Sequence, residues 1–419
     1  MTKSTSRAEP SAAYITLLVL KVASRCNLNC SYCYVYNKGD STWKGRPEIM
    51  PDAIFEATLE RLRRHFLLTH QRKILIAFHG GEPCLIGAKK FGAWCTRTRE
   101  ALEGTEVRLA IQTNATLLNE DWVEVFQKHR VEVGISMDGP RELHDVYRID
   151  RHGQGSHDHV VRGLKLLQRG NVEYGILCVI PLGSDPLTVH RHFLELGCKS
   201  ITYLLPHFTH DNIAPIRRFH GQTPCADFLI PIFDDWWFNG TLEVSIGDLR
   251  NMARIILGGD STIETFGNLP PLYAFVETDG EIEGLDSLRV CKEGIAKTNL
   301  NVRDSDFVQI LESKTMHGEA MFQGMPLPES CRGCPERDTC AGGYLPHRYS
   351  SARGFDNPSV WCADILKLFG HLRLRLGVTV EETYLRRREL RGNSATPGDY
   401  NALSGETAEP GEAFLSQGT

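Results

Sequence analysis

No apolar run in this 419-residue chain approaches the roughly 18–20 residues of a membrane-spanning helix. Met1 to Pro10 is polar, and the apolar run from Ile15 to Val22 stops at Ser24-Arg25, so no charged-then-apolar export leader is read. The expected location is cytoplasmic, with no membrane partner. Basic charge is not in excess either. Lys and Arg number 47 against 52 Asp and Glu, a net charge of -5, which gives no electrostatic footprint for nucleic acid. Nor is cysteine arranged for disulfides. Thirteen is an odd number, and without an export signal such cysteines read as metal ligands or reduced thiols. A hydrophobic fraction of 41% describes an ordinary globular chain, and its length suggests two or three domains at roughly 100–200 residues each.

What is present begins with Cys26, Cys30 and Cys33, a Cys-x3-Cys-x2-Cys triplet whose last member lies between Tyr32 and Tyr34. Three thiolates cannot fill the four corners of a [4Fe–4S] cube, so a cluster held here leaves one iron open. The other readings are buried thiols or zinc. Zinc prefers paired Cys-x2-Cys arms and four ligands, with His79 a distant candidate for the fourth. A second group, Cys331-x2-Cys334-x5-Cys340-x21-Cys362, supplies four thiolates, for which a zinc knuckle and a closed cluster stand level. Cys84, Cys95, Cys178, Cys198 and Cys225 occupy apolar contexts and read as buried thiols.

The first half of the chain alternates strand and helix patterns. Strands are expected at Ile15–Ala23, Lys73–Phe78, Val107–Thr113, Val131–Met137, Val172–Ile180 and Ser200–Leu205. Between the first two, Ala53–Leu68 puts Ile54, Thr58, Leu62 and Phe66 on one face, behind Pro51 in its first turn. Asn119 can cap the next helix, and Glu120 and Asp121 suit its positive end. Six β-α repeats imply a parallel sheet with right-handed crossovers, a partial (β/α)6 TIM-like barrel. Polar or Gly-rich segments follow its strands: the cysteine triplet, Gly80-Gly81-Glu82-Pro83, Thr113-Asn114, and Ser136 with Asp138-Gly139. In parallel barrels that edge is where active sites assemble. Asp138-Gly139-Pro140 reads equally as a plain turn.

Six segments are expected: a disordered N-terminus (1–13), the barrel (14–210), a helical bridge (211–269), a small Cys-rich domain (270–365), a closing helix (366–392) and a disordered tail (393–419). Phe228–Phe238, with Trp236 and Trp237, reads as core packing between domains. The Cys-rich stretch has too little periodic apolar sequence for a core of its own and reads as stapled by metal.

The triplet, with an aromatic residue before its third cysteine, resembles the radical S-adenosylmethionine (SAM) enzymes. That resemblance implies an open iron that chelates SAM, and a 5′-deoxyadenosyl radical made by one-electron cleavage, so that the cofactor carries the hard chemistry while the protein positions the radical and excludes water. It also implies that Gly80-Gly81-Glu82-Pro83 is the family's GGEP motif, which binds the SAM amino group through Glu82. Tyr32, Thr113, Asn114 and Ser136 are expected near the cofactor, and Arg148 matches a position that grips the SAM carboxylate, a job suited to its forked guanidinium. Behind such a domain, Cys331, Cys334, Cys340 and Cys362 resemble the outer [4Fe–4S] cluster of a SPASM domain. The seven-cysteine SPASM pattern serves two clusters, but Tyr344 and Leu285 stand where it has cysteine, and Cys291 is displaced. One auxiliary cluster is therefore expected, with a wider cavity near Asp279, Glu283, Asp286 and Tyr344. Those four are the candidates for a general base, chosen by location.

The runs Val19 to Cys26, Tyr34-Val35-Tyr36, Thr278 to Glu283, Gly342–Tyr349 and Asn357 to Cys362 resemble the FxsB-like radical SAM/SPASM peptide maturases. The resemblance implies a ribosomally made precursor peptide as substrate and an electron donor such as flavodoxin or ferredoxin. The expected reaction is a C–C (cyclophane) crosslink from an aromatic ring to an unactivated β-carbon. The alternatives are thioether formation, epimerisation, formylglycine-type oxidation, or a plain iron–sulfur electron carrier.

Overall fold

Strand β1, Leu17–Ala23, is buried on both faces, as a near-continuous apolar run requires. Leu17 and Val19 join an inner cluster with Leu75, Ala77, Tyr273 and Phe275, while Leu18, Leu20 and Val22 join the cluster between sheet and helices. The computed structural model, which describes residues 14–240, 243–267, 270–312 and 315–391, builds outward from that strand. The two termini expected to be disordered, 1–13 and 393–419, lie outside the described residues.

Strands β2 (Lys73–Gly80), β3 (Glu106–Thr113), β4 (Val131–Ser136), β5 (Tyr174–Val179) and β6 (Ser200–Leu204) follow in order, each parallel to the one before. The connecting helices are α1 (Asp52–Thr69), α2 (Ala88–Ala101), α3 (Glu120–His129), α4 (Arg141–Tyr147), α5 (His157–Arg169) and α6 (Pro186–Glu195). This is the expected α/β partial barrel. Asn119 caps α3, its side chain accepting from the Trp122 amide at 3.3 Å. Outside the sheet, Phe55 stacks on Trp94 with centroids 4.2 Å apart, and Phe91 meets Phe78, Trp122 and Phe126.

The sheet does not stop at residue 210. Strand β7 (Ser245–Ile246) pairs parallel with β6, and β8 (Tyr273–Val276) pairs parallel with β1. Strands β9 (Glu281–Glu283) and β10 (Lys297–Asn301) extend it antiparallel, giving one ten-stranded order, β10-β9-β8-β1-β2-β3-β4-β5-β6-β7. The Cys-rich stretch thus shares the barrel's sheet, because β1 would otherwise present an unpaired edge.

In the bridge, α7 (Ala214–His220) and α8 (Pro224–Asp234) precede a π-turn at Asp235–Asn239 and α9 (Gly247–Ile256). Phe228, Phe233 and Trp236 are core residues, and Trp236 Nε1 donates to the Val244 carbonyl at 2.7 Å. The expected single helix over 366–392 is instead two, Cys362–Leu376 and Val380–Arg391. Gly377, at φ 64°, ends the first in a left-handed cap, and the Val378 amide returns to the Arg373 carbonyl. Among the described residues no helix is long and apolar enough to cross a membrane.

Candidate active site

The loop leaving β1 carries the cysteine triplet and lies directly on the end of β2. The Gly81 amide donates to the Ala23 carbonyl at 2.7 Å, and the Glu82 amide to the Arg25 carbonyl at 2.9 Å. A Cβ on Gly80 would stand 2.2 Å from the Ala23 oxygen, and one on Gly81 would stand 1.9 Å from the Tyr36 hydroxyl. Only glycine fits here, and what it admits is the cysteine loop itself. Glu82 is buried. Its Oε1 accepts from the Cys84 amide at 2.9 Å and the Thr113 hydroxyl at 2.7 Å, and its Oε2 from the Asn114 amide at 2.8 Å. It therefore laces the ends of β2 and β3 together, so its carboxylate is already engaged within the chain. Pro83 follows, buried, in a short 3-10 turn. The side-chain amide of Asn114 reaches Asn27 Oδ1 at 2.9 Å and Cys26 Sγ at 3.8 Å, tying β3 to the triplet.

These elements enclose a cavity lined by Cys26, Cys30, Cys33, Tyr32, Glu82, Gln112, Thr113, Asn114, Ser136 and Arg148. Asp138 is not a plain turn residue. It is fully buried, its Oδ1 accepts from the Val179 amide at 3.0 Å, and its Oδ2 accepts from the Tyr32 hydroxyl and from Arg148 Nε at 2.9 Å. Arg148 lies 5.5 Å above the Tyr32 ring, and its Nη2 is buried without a partner. Gln112 donates to the Ser136 hydroxyl at 2.9 Å and leaves its own Oε1 buried and unpartnered. Burial pushes the Cys30 thiol up to about 11, although the Arg148 guanidinium pulls the other way. Arg148, Gln112 and the three cysteines thus line one space, and Arg148 and Gln112 each keep a buried polar atom without a partner among the described residues.

A second cavity adjoins the first, with Tyr34 lining both. Its wall includes His207, Asp248, Glu264, Phe266, Asp286, Tyr344 and His347. Among the four candidate bases, Asp286 and Tyr344 reach it. Asp286 Oδ2 is paired with Lys21 Nζ and accepts from the Tyr34 hydroxyl at 2.7 Å. Tyr344 bonds the Ser287 hydroxyl at 2.5 Å. Glu283 and Asp279 do not line it. Glu283 is fully buried between Arg46, at 2.6 Å, and Arg289, and Asp279 sits in the β8–β9 turn, 3.4 Å from Arg46 Nε. That ion network also holds Glu277 and Asp40, so it braces the loop after the triplet against β8 and β9.

Lys21, Gln112, Asp248 and Glu264 are absent from the residues singled out by sequence. Lys21 alone carried a usable signal, a lysine inside an apolar central strand, where an unpaired ammonium is not tolerated.

Cys331, Cys334, Cys340 and Cys362 share one neighbourhood. The Cys340 thiol is pushed up by burial and then by Cys362, Cys331 and Cys334. Arg373, in the Cys362–Leu376 helix, clamps Glu336 of the intervening loop through bonds of 2.6 and 2.8 Å. Leu285 is packed among the inner apolar residues, with Cys291 and Tyr344 against the same cluster. Cys84, Cys95, Cys178, Cys198 and Cys225 are all buried free thiols. Among the described residues, no group of three or more His, Cys, Asp or Glu side chains is placed to hold a single metal ion.

Residues 20–219 match the radical SAM superfamily. That segment belongs to it. The match covers slightly less than half of the chain, and membership of that segment implies a [4Fe–4S] cluster and SAM. Over its length the chain is similar to a cysteine-type anaerobic sulfatase-maturating enzyme of Clostridium perfringens, 27% identical across 86% of this chain and 97% of that one. A serine-type anaerobic sulfatase-maturating enzyme of Bacteroides thetaiotaomicron is 24% identical across 87% and 90%. Among solved structures, native anSMEcpe with bound AdoMet superimposes with a TM-score of 0.73 and 25% identity, covering 86% of this chain and 97% of that one.

Proposed function

We propose that this chain is a peptide maturase whose bound cofactors oxidise a side chain of a peptide substrate, and that the reaction is of the formylglycine type. The observation that carries this is the junction of the two cavities at Tyr34, with Asp286 in the wall of the second. The relatives named above are sulfatase-maturating enzymes, and a solved structure of anSMEcpe holds AdoMet together with a peptide.

The cofactor cavity fits SAM beside a cluster. Cys26, Cys30 and Cys33 would hold the iron, and the free Nη2 of Arg148 suits a carboxylate. The unpartnered Oε1 of Gln112 suits a hydroxyl or ammonium donor. Cys331, Cys334, Cys340 and Cys362 would hold one auxiliary cluster. When bound, these groups supply the hydrogen-abstracting radical and a sink for one electron. A small protein such as flavodoxin or ferredoxin would deliver the starting electron.

The chain's own task is to position the substrate and take a proton. After a β-hydrogen and an electron have left a cysteine or serine side chain, the thiol or hydroxyl proton passes to Asp286 Oδ1. The substrate carbon then forms a double bond to sulfur or oxygen. The oxygen product is already an aldehyde, and water converts the thioaldehyde to the same aldehyde with release of hydrogen sulfide.

A crosslink is the second reading, favoured by the aromatic wall of the second cavity, which includes Tyr34, Tyr203, Phe266 and Tyr344. There Asp286 would take the proton that restores an attacked ring.

The test incubates the reduced holoenzyme with SAM and the peptide encoded beside its gene, together with variants carrying cysteine or serine. An aldehyde trapped by a hydrazide supports the first reading. Loss of two hydrogens with a new carbon–carbon bond and no aldehyde moves the conclusion to the second. An unchanged mass with an inverted stereocentre overturns both.

A further inference from the structure

We propose that Lys21 is a positioning residue for the reaction, an ammonium inside the barrel that keeps Asp286 ionised and turns its Oδ1 toward the second cavity. This rests on the reading of Asp286 as the proton acceptor, and the test below separates the two.

Lys21 is placed by strand geometry. Leu17, Val19 and Lys21 alternate with Leu18, Leu20 and Val22, so Lys21 follows the two inner-cluster residues on the same face of β1. It is only 4% exposed. A buried ammonium is strongly disfavoured unless it is fully partnered. Its three N–H donors meet three acceptors: Asp286 Oδ2, the Tyr34 oxygen at 3.2 Å and His79 Nδ1 at 3.2 Å. His79 Nδ1 also accepts from the Gly80 amide at 2.7 Å, so it is the lone-pair nitrogen. The faces of the Tyr34 and Phe275 rings lie 5.5 and 5.8 Å from the ammonium. With every donor used, Lys21 has none left for a substrate or cofactor, and its effect is exerted through its partners.

The chief partner is held unevenly. Both Lys21 and the Tyr34 hydroxyl engage Asp286 Oδ2, and among the described residues no donor reaches Oδ1. Fixing one carboxylate oxygen from two directions leaves the other as the acceptor available to a substrate.

The surrounding charges agree. Arg289, three residues along, is a second cation that interacts with Asp286. His79 stays neutral, driven down to about 3 by burial and then by Lys21. The phenols of Tyr34, Tyr273 and Tyr344 are pushed well up by burial and remain protonated. Glu264 opposes the cations, and burial shifts it up to about 7. Burial alone would raise Asp286, yet the Lys21 ammonium and the Tyr34 hydrogen bond together hold its carboxyl below the usual range.

The experiment measures product formed per 5′-deoxyadenosine released, across pH, in the wild-type holoenzyme and in Lys21→Met, Lys21→Arg and Asp286→Asn. The acid limb of this ratio should move up by about 1–3 pH units in Lys21→Met, the usual effect of an opposite charge within ~4–6 Å. Lys21→Arg should keep it in place. An acid limb in Lys21→Met that coincides with wild type overturns the role of Lys21. Asp286→Asn that still forms product overturns the reading of Asp286 itself. A measurement that needs no Lys21 variant is the infrared carboxylate band of the resting holoenzyme, assigned by its loss in Asp286→Asn. An ionised band at neutral pH is expected, and a protonated carboxylic acid there overturns the proposal.

Discussion

An added side chain would find least room at Gly80 and Gly81. Gly81 admits the cysteine loop because it has no Cβ, and the nearest atoms are the Tyr36 hydroxyl and the Arg25 carbonyl. Gly81→Ala should therefore displace the loop and lower the iron retained per chain, measured by metal analysis of purified protein. Arg148 makes a second prediction at this scale. Arg148→Lys replaces a fork, whose Nε holds Asp138 and whose Nη2 has no partner among the described residues, with a single nitrogen that cannot place donors at both positions. A hydrogen bond to a charged group is worth roughly 1.5–3 kcal/mol, so SAM affinity should fall by about 10- to 150-fold in calorimetric titration. The cysteine triplet was legible in sequence because its spacing is local, whereas Arg148 was read only through the family resemblance. Gln112 and Lys21 were not, since their roles depend on partners brought close only by the fold, such as Asp286, more than half the chain away from Lys21.

Elements whose signal is a repeated pattern were equally legible. All six central strands could be read because each is a run of buried apolar residues between helical patterns. Strand β7 has two residues and β8 four, too short for any period to register, although β8 completes the partnering of β1. Gly377, which divides the closing helix, looked like one more residue in a helical run, and only its left-handed backbone marks the break. The Cys362–Leu376 helix depends on a contact of this kind. Its Arg373 grips Glu336 with both partners buried, so the loop bearing Cys331, Cys334 and Cys340 is fixed against the helix bearing Cys362. Arg373→Ala leaves Glu336 buried without its cation, a change that typically costs about 3–5 kcal/mol. Lower stability in urea is expected, along with iron falling toward the content of a single cluster. Full iron retention in a destabilised variant would show that the clamp serves the fold and not the second cysteine group.

The molecule as a whole is one sheet wrapped around two joined cavities, and the wall of the second draws on segments far apart in the chain. Asp248, at the start of α9, accepts from the Tyr203 amide of β6 at 3.0 Å. Glu264 belongs to the segment between α9 and β8, and its Oε2 is buried without a partner. Burial drives both carboxyls up to about 7, each from the ordinary carboxylate range. Between those limits the folded protein binds more protons than the unfolded chain. These two groups therefore stabilise fully below the ordinary carboxylate range and lose that contribution as pH rises through about 7. Buried histidines act in the opposite sense. His65, lowered to about 4, and His144, lowered to about 2, must charge on unfolding in acid, so their contribution is lost as pH falls. The total stability profile mixes both effects, whereas a comparison of variants isolates the first. Asp248→Asn mimics the protonated acid and cannot ionise. Its urea midpoint relative to wild type should therefore rise steadily from mildly acidic pH to above neutrality, as the wild-type carboxyl is forced to charge in its buried site. A midpoint difference that stays level across that window would mean that Asp248 is already ionised in the folded state and is paired within the cavity wall.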